Sequence, residues 1–237
     1  MKLRYLLLAG GLLISACSAD AETNTNLQDN QTRQKAEDIP KQEHTREEIH
    51  MGSKTSWKAE YDAMGMFRED MALYKSNDDG KTWSLVTSSQ QPDNTLPGGT
   101  KTGFMFKDDR IGWIATHSPA EGTADLYASE DGGQSWSKVP LEVPTRFMHS
   151  NLTTFLPFFF NEDLGIVVTN PDGDSTENLF YLTLDGGRTW KAYFGAEQGD
   201  AGKIRWSVTK TDTFFRYKIA IGDDQWEFSG TDWFKIS

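Results

Sequence analysis

The chain has 237 residues, 24 Lys and Arg against 35 Asp and Glu, a net charge of −11 and a single cysteine. That acidity argues against nucleic acid and anionic headgroups as partners, and a lone cysteine excludes an internal disulfide. The body must be held by its core alone.

In chain order, Lys2 and Arg4 form a basic leader and Tyr5 to Ile14 a short apolar run closed by small residues. This is the pattern of a secretory signal, too short to cross a bilayer as a helix. Leu13-Ile14-Ser15-Ala16-Cys17 resembles the lipobox of bacterial lipoproteins. The resemblance implies cleavage after Ala16 and acylation of Cys17, with the chain held extracytoplasmically to the cell membrane, or to the outer membrane of a Gram-negative envelope. Loss of residues 1–16 removes two of the 24 basic residues and leaves 22 against 35, a charge of −13.

Residues 17–55 are dominated by Asn, Gln, Thr, Glu and Lys, with no aromatic residue from Ser18 to Ser56. Such a segment buries too little apolar surface to offset the entropy of ordering it, and it reads as a solvated tether. Glu43 to His50 within it has the composition of a short transient helix. Every tryptophan lies at or beyond Trp57, so residues 56–237 are predicted to be the folded domain, long enough for one core.

Three eight-residue stretches are near-copies: SNDDGKTW (76–83), SEDGGQSW (129–136) and TLDGGRTW (183–190). They share Ser76, Ser129 and Thr183 at the first place, and Asp78, Asp131 and Asp185 at the third. Gly80, Gly133 and Gly187 follow at the fifth, and Trp83, Trp136 and Trp190 at the eighth. The tryptophans are 53 and 54 residues apart, and β-prone runs flank each copy. A repeat this regular predicts stacked antiparallel units. In each, Asp accepts turn N–H groups, Gly supplies positive φ and Trp covers the hairpin.

The pattern Ser/Thr-x-Asp-x-Gly-x-x-Trp resembles the Asp-box, or bacterial neuraminidase repeat, found on β-propeller blades of sialidases, sortilin-like receptors, some glucanases and photosystem assembly factors. The resemblance implies an all-β fold, a small propeller of about four blades, with the boxes structural and away from the central site. "FSGTDWFKI" (228–236) reads as a last box stripped of its pattern. Residues 57–67 are expected to close the ring against the blade containing 214–236.

Catalytic signals are few. The sialidase resemblance would require an arginine-rich entry motif (Arg-Ile-Pro) and six blades. The motif is missing, and Arg68, Arg110, Arg146, Arg205 and Arg216 show no convergent spacing. Asp108-Asp109, Glu162-Asp163 and Asp223-Asp224 read as solvated turns. "NPDGDSTEN" (170–178) lacks a complete calcium ligand set. His117 and His149 lack metal-ligand spacing, and no cofactor motif is present. The aromatic run "TFLPFFF" (154–160) reads as core. Trp113, His117, His149, Trp206 and Trp226 are the candidate ligand face, since aromatic rings on a propeller face stack on sugars or peptides. The functional expectation is a non-catalytic binding or assembly module for an envelope protein or glycan. The alternative is a degenerate sialidase-like glycoside hydrolase acting on an envelope polymer.

Overall fold

The computed structural model describes residues 46–51, 55–117, 120–171 and 177–237. The described chain is all-β, with one short 3-10 turn at Thr145–Phe147. β1 (Arg46–Met51), β2 (Ser56–Gly65), β3 (Arg68–Ser76) and β4 (Ser84–Ser88) form an N-terminal antiparallel meander in that order. β5 (Thr100–Phe106), β6 (Gly112–His117), β7 (Asp125–Ser129) and β8 (Ser137–Lys138) form a second. β9 (Leu152–Thr154) and β10 (Phe158–Phe159) both pair with β11 (Gly165–Pro171), which continues to β12 (Leu179–Thr183) and β13 (Lys191–Phe194). The single pair His117↔Thr153 joins this third meander to the second as one nine-stranded sheet. β14 (Gln198–Ala201), β15 (Ile204–Lys210), β16 (Phe215–Ile221), β17 (Asp224–Phe228) and β18 (Trp233–Lys235) make the C-terminal sheet.

The three repeated octets fill equivalent places, connecting β3 to β4, β7 to β8 and β12 to β13. Successive meanders pack face to face through three apolar clusters. Trp57, Tyr61 and Leu73 meet Phe104, Phe106 and Ile114. Trp113, Ala115 and Leu126 meet Leu152, Val167 and Tyr181. Ile166, Val168 and Phe180 meet Trp206, Tyr217 and Phe228.

Two expectations change. The segment 17–55 reads as tether with a short transient helix at Glu43 to His50, yet Arg46–Met51 within it is a strand in full register with β2, from Arg46↔Tyr61 to Met51↔Ser56. Its inward positions are polar, which hid it from a hydrophobicity reading. They are satisfied by partners on other strands.

Ring closure by residues 57–67 against 214–236 does not occur among the described residues. No apolar cluster or aromatic pair joins the first meander to the last. Trp233 of β18 stacks instead on Phe158, 5.3 Å between ring centroids, and Phe228 meets Phe155. The burial patterns give the reason. Gly112 to Thr116 of β6, Gly165 to Thr169 of β11 and all of β12 are buried at every position, as strands covered on both faces must be. In β2, β15 and β16 burial alternates, the outer positions being half-buried along Lys58, Glu60 and Asp62 and mostly exposed on β15 and β16, so among the described residues the first and last sheets each pack one face on a neighbouring meander.

Candidate functional site

The octets build one turn three times. Ser76 Oγ, Ser129 Oγ and Thr183 Oγ1 donate to their aspartates at 2.7, 2.8 and 2.7 Å, and accept the N–H of Gly80, Gly133 and Gly187 at 2.9, 2.8 and 2.9 Å. Each aspartate also accepts the backbone N–H and the hydroxyl of the seventh residue, Thr82, Ser135 or Thr189. That seventh hydroxyl, Thr82, Ser135 or Thr189, recurs in all three octets and completes the motif. These bonds favour the ionised carboxylate. Thr82 N–H, Thr82 Oγ1 and Ser76 Oγ hold Asp78 down to about 2. Burial pushes Asp131 and Asp185 upward, but the same set of bonds outweighs it and both are lowered.

The box carboxylates are therefore spent on their own turns. Trp136 and Trp190 close the turns by donating Nε1–H to the carbonyls of Gly133 and Gly187, at 3.0 and 3.1 Å. The acidic turns read from Asp108-Asp109 and Glu162-Asp163 lie under the next box. Gly132 N–H reaches Arg110 O and Gly186 N–H reaches Asp163 O, both at 2.8 Å. Asp108 and Asn161 cap these turns by accepting two N–H groups each.

Three residues of the expected ligand face belong instead to the core. Trp113 is buried against Phe159, Trp206 against Phe180 and Tyr193, and Trp226 against Phe160. Each points inward on a strand whose alternate positions pack on a neighbouring meander, so none is free to stack on a ligand. The histidines do reach a surface. His117 ends β6, with Nδ1 3.3 Å from Thr153 Oγ1 and its ring 6.3 Å from that of Phe67. His149 is exposed, with Nδ1 3.6 Å from Glu121 Oε2. Gly122 N–H bonds Ser150 O at 2.9 Å, which ties the His149 loop to the β6–β7 connection. Both histidines thus sit at the strand ends opposite the boxes. Among the described residues no three His, Cys, Asp or Glu side chains gather as a metal site would require.

The same end carries a feature the sequence reading missed. Gly65 pairs with Arg68 across a two-residue β2–β3 turn, and Met66 and Phe67 occupy its centre at φ 50° and 60°. A turn with positive φ at both central residues is ordinarily made from Asn and Gly, because a Cβ is disfavoured there by about 1–2 kcal/mol. Here it holds two large apolar residues, Met66 at 93% and Phe67 at 57% exposure, beside Met64 at 56%. Only Gly65 in "AMGMFRE" (63–69) hinted at a turn.

A second cluster lies where β1 meets the second meander. Arg46 pairs with Glu48, lies 3.3 Å from Glu69 Oε2, donates to Lys101 O at 2.9 Å and stacks 4.0 Å over the Tyr61 ring. Tyr61 OH donates to Glu48 Oε2 at 3.0 Å, while Lys101 N–H donates to Glu69 Oε2 at 2.9 Å and Lys101 Nζ to Glu69 O. Burial raises the Glu48 carboxyl and depresses the Lys101 ammonium to about 8, the latter opposed by Glu69 and Asp70. Two carboxylates and two cations converge here, but they neutralise one another. Lys101 is only 2% exposed. Chemically this is a clasp that fixes β1 to β3 and β5.

Cys17 lies outside the described residues. No protein-family model matches the chain. It is similar to the xyloglucanase Xgh74A of Acetivibrio thermocellus, 27% identical over 165 residues, which cover 59% of this chain and 18% of that enzyme. The match therefore spans less than a fifth of the curated relative's length.

Proposed function

We propose that this protein is a lipid-anchored, extracytoplasmic module of propeller type, with about four blades and Asp-box turns, that holds an envelope protein or glycan without transforming it. Acylated Cys17 attaches it to the membrane, and the face opposite the boxes meets the ligand. The observation that carries this reading is the Met66-Phe67 turn. Folding gains nothing from placing two large apolar side chains in a left-handed turn and leaving them in water. A binding surface does, because rigid apolar anchors contribute most of the affinity at interfaces. His117 against Phe67 and the His149–Glu121 pair supply polar groups on the same face.

The test is co-sedimentation of the purified protein with envelope sacculi and with insoluble glycan, together with an assay for released reducing ends. Sedimentation without release is expected, and it should be lost in Met66→Asp/Phe67→Asp with the melting transition retained. Unchanged sedimentation of that variant would overturn the reading.

The similarity to a xyloglucanase supports a second reading, hydrolysis of xyloglucan. Glycoside hydrolysis needs two carboxyl groups flanking the scissile bond, about 5 to 9.5 Å apart. Glu48 and Glu69 are two carboxylates gathered in one cluster, each bound to Arg46. Reducing-end release from xyloglucan that disappears in both Glu48→Gln and Glu69→Gln would establish this reading in place of the first.

A further inference from the structure

The second and third meanders build the same turn beside their boxes and differ in what surrounds it. Asp108 caps the first of these turns by accepting the N–H of Arg110 and Ile111, and Asn161 caps the second by accepting those of Asp163 and Leu164. The carbonyls of Arg110 and Asp163 in turn accept the N–H of Gly132 and Gly186. Arg110 thus corresponds to Asp163, and Glu130, second in its octet, to Leu184. In the second meander this place holds a cation, and Arg110 Nε donates to Glu130 O at 3.2 Å. In the third it holds a carboxylate, and its neighbour in the box is aliphatic.

Beyond Leu184 stands the β14–β15 turn of the C-terminal sheet. A Cβ added at Gly202 would lie 3.7 Å from Leu184 Cδ1, so the box and that turn are close neighbours. A groove of about 640 Å³ opens here, of the size that small molecules occupy. Leu164, Leu184 and Ile221 give it aliphatic surface. Glu162 and Asp163 line it from the third meander and Lys203 from the C-terminal sheet. Lys107 also reaches the Glu162–Asp163 turn, but its Nζ donates to the Glu162 carbonyl. Among the described residues, the side chains of Glu162, Asp163 and Lys203 are engaged in no ion pair or hydrogen bond. Leu184 is 51% exposed, at the place where the first two boxes carry Asn77 and Glu130.

We propose that this groove binds a small aliphatic zwitterion, a di- or tripeptide with free termini. Its ammonium meets Glu162 and Asp163, its carboxylate meets Lys203, and its side chains cover Leu184 and Ile221. The lining selects this class by exclusion as well as by attraction. Lys203 opposes a bare cation, the two carboxylates oppose a bare anion, and a neutral sugar would leave all three charges without a partner. The aliphatic surface in the same groove calls for an apolar body between the two charged ends. The site lies at the box end, away from the Met66-Phe67 turn, so the inference goes beyond the proposed ligand-binding role and does not rest on it.

Calorimetric titration of the full chain in detergent with the tripeptide Ala-Leu-Ala tests this. Saturable binding is expected, with a dissociation constant of about 1 mM or tighter. N-acetylation and C-amidation of the peptide should each weaken it about threefold or more, as exposed ion pairs are modest. Glu162→Gln/Asp163→Asn should bind the free and N-acetylated peptides alike, and Lys203→Gln the free and amidated ones alike, which assigns each wall to one terminus. Leu184→Asn, the residue of the first box, should weaken all three peptides. Thermal melting of each variant checks folding, and the capped peptides on the unaltered protein remain decisive if a variant fails to fold. No saturable binding up to about 20 mM, well beyond that constant, overturns the proposal. So does equal affinity for free and capped peptides, or binding that none of the variants changes, which would place the peptide elsewhere.

Discussion

Gly187 lies directly against Trp113. A Cβ added to Gly187 would stand 2.9 Å from Cζ2 of that indole, and one added to Gly133 would stand 2.5 Å from Leu73 Cδ2. The fifth residue of each later box is thus pressed onto the preceding meander. Gly80, in the first box, meets only its own Trp83 at 3.2 Å. The three turns share their Ser/Thr and Asp hydrogen bonds and differ in what they touch, because among the described residues no earlier meander packs on the first.

Gly133→Ala and Gly187→Ala should therefore cost more than Gly80→Ala. All three glycines have φ between 78° and 94°, which penalises any Cβ by about 1–2 kcal/mol. Overpacking against Leu73 or Trp113 adds about 1–3 kcal/mol at the two later sites. Urea denaturation of the three variants should place Gly80→Ala nearest the unaltered protein, and equal losses would show that the contacts between meanders do not matter.

Asp131→Ala should destabilise the domain by about 1–3 kcal/mol, since the Ser135 N–H and two hydroxyl donors lose their acceptor. Ligand binding measured below the melting transition should be unchanged. Lost binding with an unchanged thermal midpoint would assign the box to recognition instead of folding.

The boxes also set an acid dependence. Asp78 titrates near 2 in the folded state against an ordinary 3.8, so its contribution is complete above about 4 and is lost as the pH falls through about 2. The stability gap between the unaltered protein and Asp78→Asn, followed by urea titration across that range, should shrink as acid is added. A gap that stayed constant would mean the carboxylate charge contributes nothing to the turn.

Arg46→Ala should loosen β1 without unfolding the body. It removes the partner shared by Glu48 and Glu69 and the cation over Tyr61. Amide exchange at residues 46–51 should speed up at least tenfold, while amides of β6 and β11 keep their protection. Uniform acceleration would show β1 to be part of the global folding unit.

Cys17→Ala tests the proposed anchor by itself. Metabolic lipid labelling should vanish, and the protein should persist as uncleaved precursor or leave the membrane fraction. Retention with mature size and label would remove lipidation at Cys17 from the account.

What the sequence determined by itself is the local chemistry that repeats. An octet with hydroxyl, Asp, Gly and Trp at fixed places can satisfy its own turn, so its conformation was readable without neighbours. The all-β class followed from the β-prone runs on either side. The alternation of "IRWSVTK" and "FRYKIAI" and the unbroken "GWIAT" and "GIVVT" match strands buried at every second position and strands buried at every position. Other features depended on contacts between segments far apart in the chain. Arg46 read as tether because its partners, Glu69 and Lys101, lie more than 20 residues away, and Glu48 because the Tyr61 hydroxyl that bonds it comes from the next strand. Trp113, Trp206 and Trp226 read as ligand candidates because an indole has the same letter whether it faces solvent or the next sheet. Met66 and Phe67 gave no turn signal, since a left-handed apolar turn opposes local preference and persists only because the long β2–β3 ladder on either side holds it.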